Sequence, residues 1–226
     1  MANILNEKNS ITLAGSAGVD SIRNAGASVV IEAYAGNDNI KNYNDVANVN
    51  GGVGNDIIIN GQFFAKGGKN LTLSGDVGND TITNSGSNVL IDGGSGNDFI
   101  HNGYYYYFED WNTYYDSSYN NEHDDADKSS NVTINGGDGD DTISNRGDNV
   151  TILTGAGNNS VYSSGDNVLV KVGGGKNTIA GENITVHTGK SNSTLTGDRY
   201  TQIYQYGGGN DVIIRAVRPL ALAMGI

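Results

Sequence analysis

"NLTLSGDVGNDTITNSGS" (residues 70–87) and "NVTINGGDGDDTISNRGD" (131–148) are two versions of one pattern. Each opens apolar-x-apolar, passes through a glycine-rich turn ending in Asp, continues x-Ile-x-Asn and closes on a second turn. Aligned on the acid, the chain divides into ten units, starting at Ser10, Ser28, Val46, Asn70, Asn88, Asn131, Asn149, Asn167, Asn183 and Thr201. Seven of the nine steps are 18 residues or close to it, and the other two carry insertions at 64–69 and 104–130. A fixed period of this length is the mark of stacked repeats.

Within a unit, Val89 and Ile91 stand at alternate positions, as do Asp98, Ile100 and Asn102. This is the period of a strand with one buried face. Strands of three or four residues bury too little to stand alone, so the inward residues must stack from coil to coil. Ile22, Ile40, Ile58, Ile82, Ile100 and Ile143 form one such row. Val29, Leu71, Val89, Val132, Val150 and Val168 form the row expected opposite it. The predicted fold is all-β: a right-handed parallel β-roll or β-solenoid of about ten 18-residue coils, with one long aromatic-rich insertion. At ~4.8 Å per layer it makes a rod of roughly 48 Å. Residues 1–9 are expected to cap the start, 10–218 to form the roll, and 219–226 to form a C-terminal cap or a secretion tail.

Composition narrows the function classes. Thirty-four glycines, one proline and no cysteine exclude collagen and a disulfide framework. A formal charge of −12 argues against nucleic acid and anionic membranes and favours cations. No stretch has the ~18 apolar residues of a membrane span, and "MANILNEKNS" holds no apolar signal-peptide core. In the second turn, Asn24, Asn42, Asn60, Asn84, Asn102 and Asn145 recur at one phase. Stacked amides can hydrogen-bond along such a row, so this edge reads as structural. A glycan- or ice-binding surface is the rival reading. The ice reading wants a regular outward Thr row beside the Asn, and that position runs Ala17, Ala35, Val53, Val77, Ser95, Asp138.

"GGVGNDIII" (51–59), "GGSGNDFIH" (93–101) and "GGDGDDTIS" (136–144) resemble the RTX (hemolysin-type) nonapeptide G-G-x-G-x-D-x-apolar-x. The resemblance implies a calcium-binding β-roll. In that family both turns usually carry the Asp; here Val89, Val132 or Val150 stands where the second would be, which implies a one-sided roll. The metal ligands it implies are Asp56, Asp80, Asp98, Asp141, Asp38 and Asp20 with Gly51, Gly93 and Gly136. The charges argue the same way. Asp carboxylates projecting from one edge at ~4.8 Å repel by roughly 3.5 kcal/mol per neighbour at an effective dielectric of 20, and a cation between layers would reverse that sign. Calcium tolerates carboxylates mixed with turn carbonyls, whereas magnesium wants a strict octahedron. The plainer reading is that these acids hydrogen-bond nearby N–H groups and cap turns. Asn159, Asn177 and Ser193 replace the acid in three later coils, where no ion is expected, and Asp211 would form half a site.

The segment 104–130 holds seven of the 13 tyrosines and the only Trp. Tyr104, Tyr105, Tyr106, Tyr107, Phe108 and Trp111, with Phe63 and Phe64 of the shorter insertion, form either a lid packed on the Asn edge or a platform for a cell-surface glycan or protein. His101, His123 and His187 share no spacing, and no catalytic constellation is present. The expected function is therefore a non-enzymatic, calcium-binding, extracellular structural or adhesive module, secreted or on a bacterial surface by type I export and capable of end-to-end self-association. The alternatives are a protein that binds its partner through 104–130 and, behind it, a polysaccharide-active enzyme module.

Overall fold

The structure, a computed structural model, describes residues 2–45, 48–61, 67–103, 129–197, 200–205 and 209–215. Within them the chain is all strand and turn, without a helix. Successive strands alternate between two parallel sheets, one of 11 and one of 10 strands. The larger begins at Asn3–Asn6 and ends at Val212–Arg215; the smaller begins at Thr12–Ser16 and ends at Gln202–Gln205. Each strand pairs with the strand of its own sheet one coil away, so the chain winds as a β-solenoid of about ten turns. Residues 3–6, within the expected N-terminal cap, form the first strand of the larger sheet and pair with Ser21–Asn24.

The register shows why this sequence winds this way. Ile22, Ile40, Ile58, Ile82, Ile100 and Ile143 lie directly beside one another in the larger sheet, all 0–1% exposed. Val161, Ile179 and Leu195 continue the row. The smaller sheet faces it with Ile31, Val49, Leu73, Ile91, Ile134, Ile152, Val170 and Val186. The row expected opposite, Val29 to Val168, is also buried, but it stands two residues earlier, at the entry to that sheet. β-branched side chains suit these pleated columns, and each buried Ile contributes about 1.5–3 kcal/mol.

Corners are made by left-handed residues. Ser10, Ser28, Asn70, Asn88, Asn131, Asn149, Asn167 and Asn183 all have φ between 52° and 58°. These are the starts of the repeat units, and Asn tolerates this backbone region better than other non-glycine residues. Val46, the remaining early start, lies outside the described residues.

The Asn row is a continuous hydrogen-bonded ladder. The side-chain Nδ2 of Asn24 donates to Oδ1 of Asn42 at 2.8 Å, and the same link runs from Asn42 to Asn60, Asn60 to Asn84, Asn84 to Asn102 and Asn102 to Asn145. Each amide also closes its own turn, as where Asn84 exchanges hydrogen bonds with the backbone of Gly86. Gly68 takes that turn position after Asn60, and Ser129 takes it after Asn102. The ladder thus keeps its turn geometry on both sides of each insertion. Phe63, Phe64, Tyr104–Tyr107, Phe108 and Trp111 lie outside the described residues, as does the expected contact between the two insertions.

Candidate functional site

The acids do not project from the edge. Asp20, Asp38, Asp56, Asp80, Asp98 and Asp141 are 1–2% exposed and point into the coil. The backbone explains it: at the end of the glycine turn each Asp N–H faces the next layer with no strand partner. It donates to Oδ1 of the Asp one coil on, from Asp20 to Asp38 (2.6 Å), Asp38 to Asp56, Asp56 to Asp80, Asp80 to Asp98 and Asp98 to Asp141 (2.9 Å). The turn-capping reading is therefore realised, between coils rather than within one. Asn159 and Asn177 continue the ladder with the same atom, accepting from Asp141 and Asn159.

Asp20 accepts with both oxygens, its Oδ2 from the N–H of Ser16, whereas each later acid uses only one. Oδ2 of Asp38, Asp56, Asp80, Asp98, Asp141 and Asp211 is buried without a hydrogen-bond partner. Burial pushes the carboxyls of Asp38, Asp56 and Asp98 above the usual range, partly offset by the N–H each accepts. Burial likewise takes Asp80 up to about 7, with Asp98, Asp56 and Asp76 adding repulsion, and Asp141 up to about 6. Asp20, at the open end, is held below the usual range by the N–H of Ala2.

In the turns of Asp56, Asp80, Asp98 and Asp141 the first glycine makes room for the unused oxygen; in the Asp38 turn Ala33 stands at that place. A Cβ on Gly75 would lie 2.2 Å from Oδ2 of Asp80 and 2.5 Å from the carbonyl oxygen of Gly93 in the next coil. On Gly93 it would lie 2.5 Å from Asp98 Oδ2 and 2.4 Å from the Gly136 carbonyl, and on Gly136 2.6 Å from both Asp141 Oδ2 and the Thr154 carbonyl. On Gly51 it would meet Asp56 Oδ2 at 2.4 Å. No carbon fits there, and at Gly75, Gly93 and Gly136 the acid's Oδ2 and a carbonyl oxygen of the next coil both lie within 2.6 Å of that point. The expected residues Gly51, Gly93 and Gly136 are thus brought together with their acids, and Gly75 joins them. Among the described residues no group of three His, Cys, Asp or Glu side chains converges as a ready-made metal set. A cation here would take one carboxylate per coil and complete its shell with carbonyls, which the donors present fit.

One functional-looking row escapes the sequence reading. Asn37, Asn55, Asn79, Asn97, Asp140 and Asn158, each just before the ladder position, form an exposed second ladder in which Oδ1 accepts the N–H one coil on, as from Asn55 to Asn37 at 2.9 Å. Its signal was the constant Asn of "GND".

Fold and ladders together define a parallel β-solenoid with internal polar rows, one of them of buried carboxylates. No protein family, curated protein or solved structure matches the chain. Among the described residues no helix is long and apolar enough to cross a membrane.

Proposed function

We propose that the protein is an extracellular structural or adhesive rod stabilised by calcium along its aspartate edge, as its resemblance to the RTX β-roll implies. The observation that carries this reading is the row of buried, unpartnered Asp Oδ2 atoms, which at Asp80, Asp98 and Asp141 lie beside a carbonyl of the next coil. An isolated buried carboxylate is untenable as an anion: it takes a proton or a cation. Asp56, Asp80, Asp98 and Asp141 would hold the ion, together with turn carbonyls. Bound calcium supplies the positive charge that lets neighbouring acids ionise in a stacked fold. An ion that binds only the stacked state adds RT ln(1 + [Ca2+]/Kd), about 2.7 kcal/mol at a hundredfold Kd. With one carboxylate per coil the sites are weak, and weak sites fill where calcium is millimolar, outside the cell.

The test is thermal unfolding at neutral pH in chelator and in millimolar calcium, for the native chain and for Asp80→Asn with Asp98→Asn. Calcium should raise the melting temperature of the native chain and affect the double variant much less. A native chain indifferent to calcium would leave a rod held by protonated acids, and the ion reading would be lost.

A further inference from the structure

The outer face of the larger sheet carries a feature of the opposite charge. Register sets Arg23 directly beside Lys41 on neighbouring strands, about 4.8 Å apart, with both side chains exposed. Their column runs Leu5, Arg23, Lys41, Ile59, and the next outward column runs Asn3, Ser21, Asn39, Ile57. Neither column offers an acid, in a chain with 25 acidic and 13 basic residues. Like charges side by side weaken a sheet, so this pair costs stability unless something anionic sits on it. The Arg23 guanidinium lies 5.0 Å from the centre of the Tyr43 ring, a cation–π contact that fixes its plane. These three residues, with Asn3, Ser21 and Asn39, line an open groove of about 460 Å3.

We infer that this groove binds a small hydroxylated carboxylic acid, its carboxylate on Arg23 and Lys41 and its hydroxyls among Asn3, Ser21 and Asn39. The planar guanidinium fork matches a planar carboxylate with two parallel hydrogen bonds. Amide and hydroxyl side chains both donate and accept, as sugar-like hydroxyls require. Backbone N–H groups of the strands are committed to the sheet, so the loose cluster of main-chain donors that favours phosphate is missing from this face. The volume is in the range of small-molecule sites. The groove opens outward while the aspartate row points into the coil, so the site is independent of calcium.

Isothermal titration of the chelated, full-length chain with D-glucuronate, acetate and sulfate tests the assignment. Glucuronate should bind best, and Arg23→Gln with Lys41→Gln should weaken it about tenfold or more. Arg23→Lys, which keeps the charge and loses the fork, should fall between, and hydrogen exchange of the native chain with glucuronate should slow residues 21–43. Both variants sit on the exposed face, so their melting temperatures should match or exceed that of the native chain. No binding of glucuronate by the native chain would overturn the proposal. So would sulfate binding as tightly as glucuronate, or a double variant that folds and binds unchanged.

Discussion

Asp80 and Asn159 hold the same place in the ladder and use the same oxygen, so their difference isolates the second oxygen. Asp80→Asn keeps the hydrogen bond from Asp56 and removes a buried acid. It should raise the ion-free melting temperature at neutral pH by a few degrees while reducing the response to calcium; differential scanning calorimetry reads both. The pH dependence follows from Asp80 at about 7 and Asp141 at about 6. Both lie above the ordinary carboxylate value, so the folded state binds protons more tightly than the unfolded one. Ion-free stability is then full near the unfolded carboxylate range and falls as pH rises through about 6 to 7. Melting curves from acidic to mildly alkaline pH in chelator should decline, and calcium should flatten the decline. Asn84 shows the other kind of polar row, neutral and fully partnered. Asn84→Ala leaves its partners on Asn60, Asn102 and Gly86 unmet in a buried position, and should cost about 3 kcal/mol or more in denaturant unfolding.

At the scale of the coil, two contributions hold one layer on the next: apolar columns and polar rows. The coils from 149 to 197 keep Ile152, Val161, Val170, Ile179, Val186 and Leu195 buried while replacing the acid with Asn159, Asn177 and Ser193. They carry no buried carboxylate penalty and should stay stacked in chelator. Hydrogen exchange should show 149–197 equally protected with and without calcium, and 48–145 protected less without it. Equal loss in both segments would mean that the apolar columns do not suffice. Ile91 is 0% exposed between Leu73 and Ile134. Ile91→Ala should destabilise by about 2–5 kcal/mol, and because each coil touches only its neighbours the loosening should centre on 71–77 and 133–135.

Across the whole rod, the insertions are interruptions of a turn rather than of the winding. Asn102 and Asn145 stand 43 residues apart yet form the same 2.8 Å link as pairs 18 apart. Joining Gly103 to Ser129 by deleting 104–128 restores the common step, so strand content by circular dichroism and the calcium response should both persist. A deletion that unfolds the rod would make the insertion part of its core.

The sequence by itself determined the winding. A period of 18 residues with alternating Ile and Val leaves one way to bury short strands, coil upon coil, and it placed the Asp and Asn rows at constant phase. It did not determine which way the acids face. The pattern G-G-x-G-x-D is equally compatible with an acid at the rim and one turned inward, since both keep the period. Only the stacked structure decides, because the free N–H that captures each Oδ1 belongs to the neighbouring coil, 18 to 43 residues away. The same holds for the Arg23–Lys41 groove. Two cations 18 residues apart look unrelated along the chain, and lateral strand pairing alone makes them neighbours.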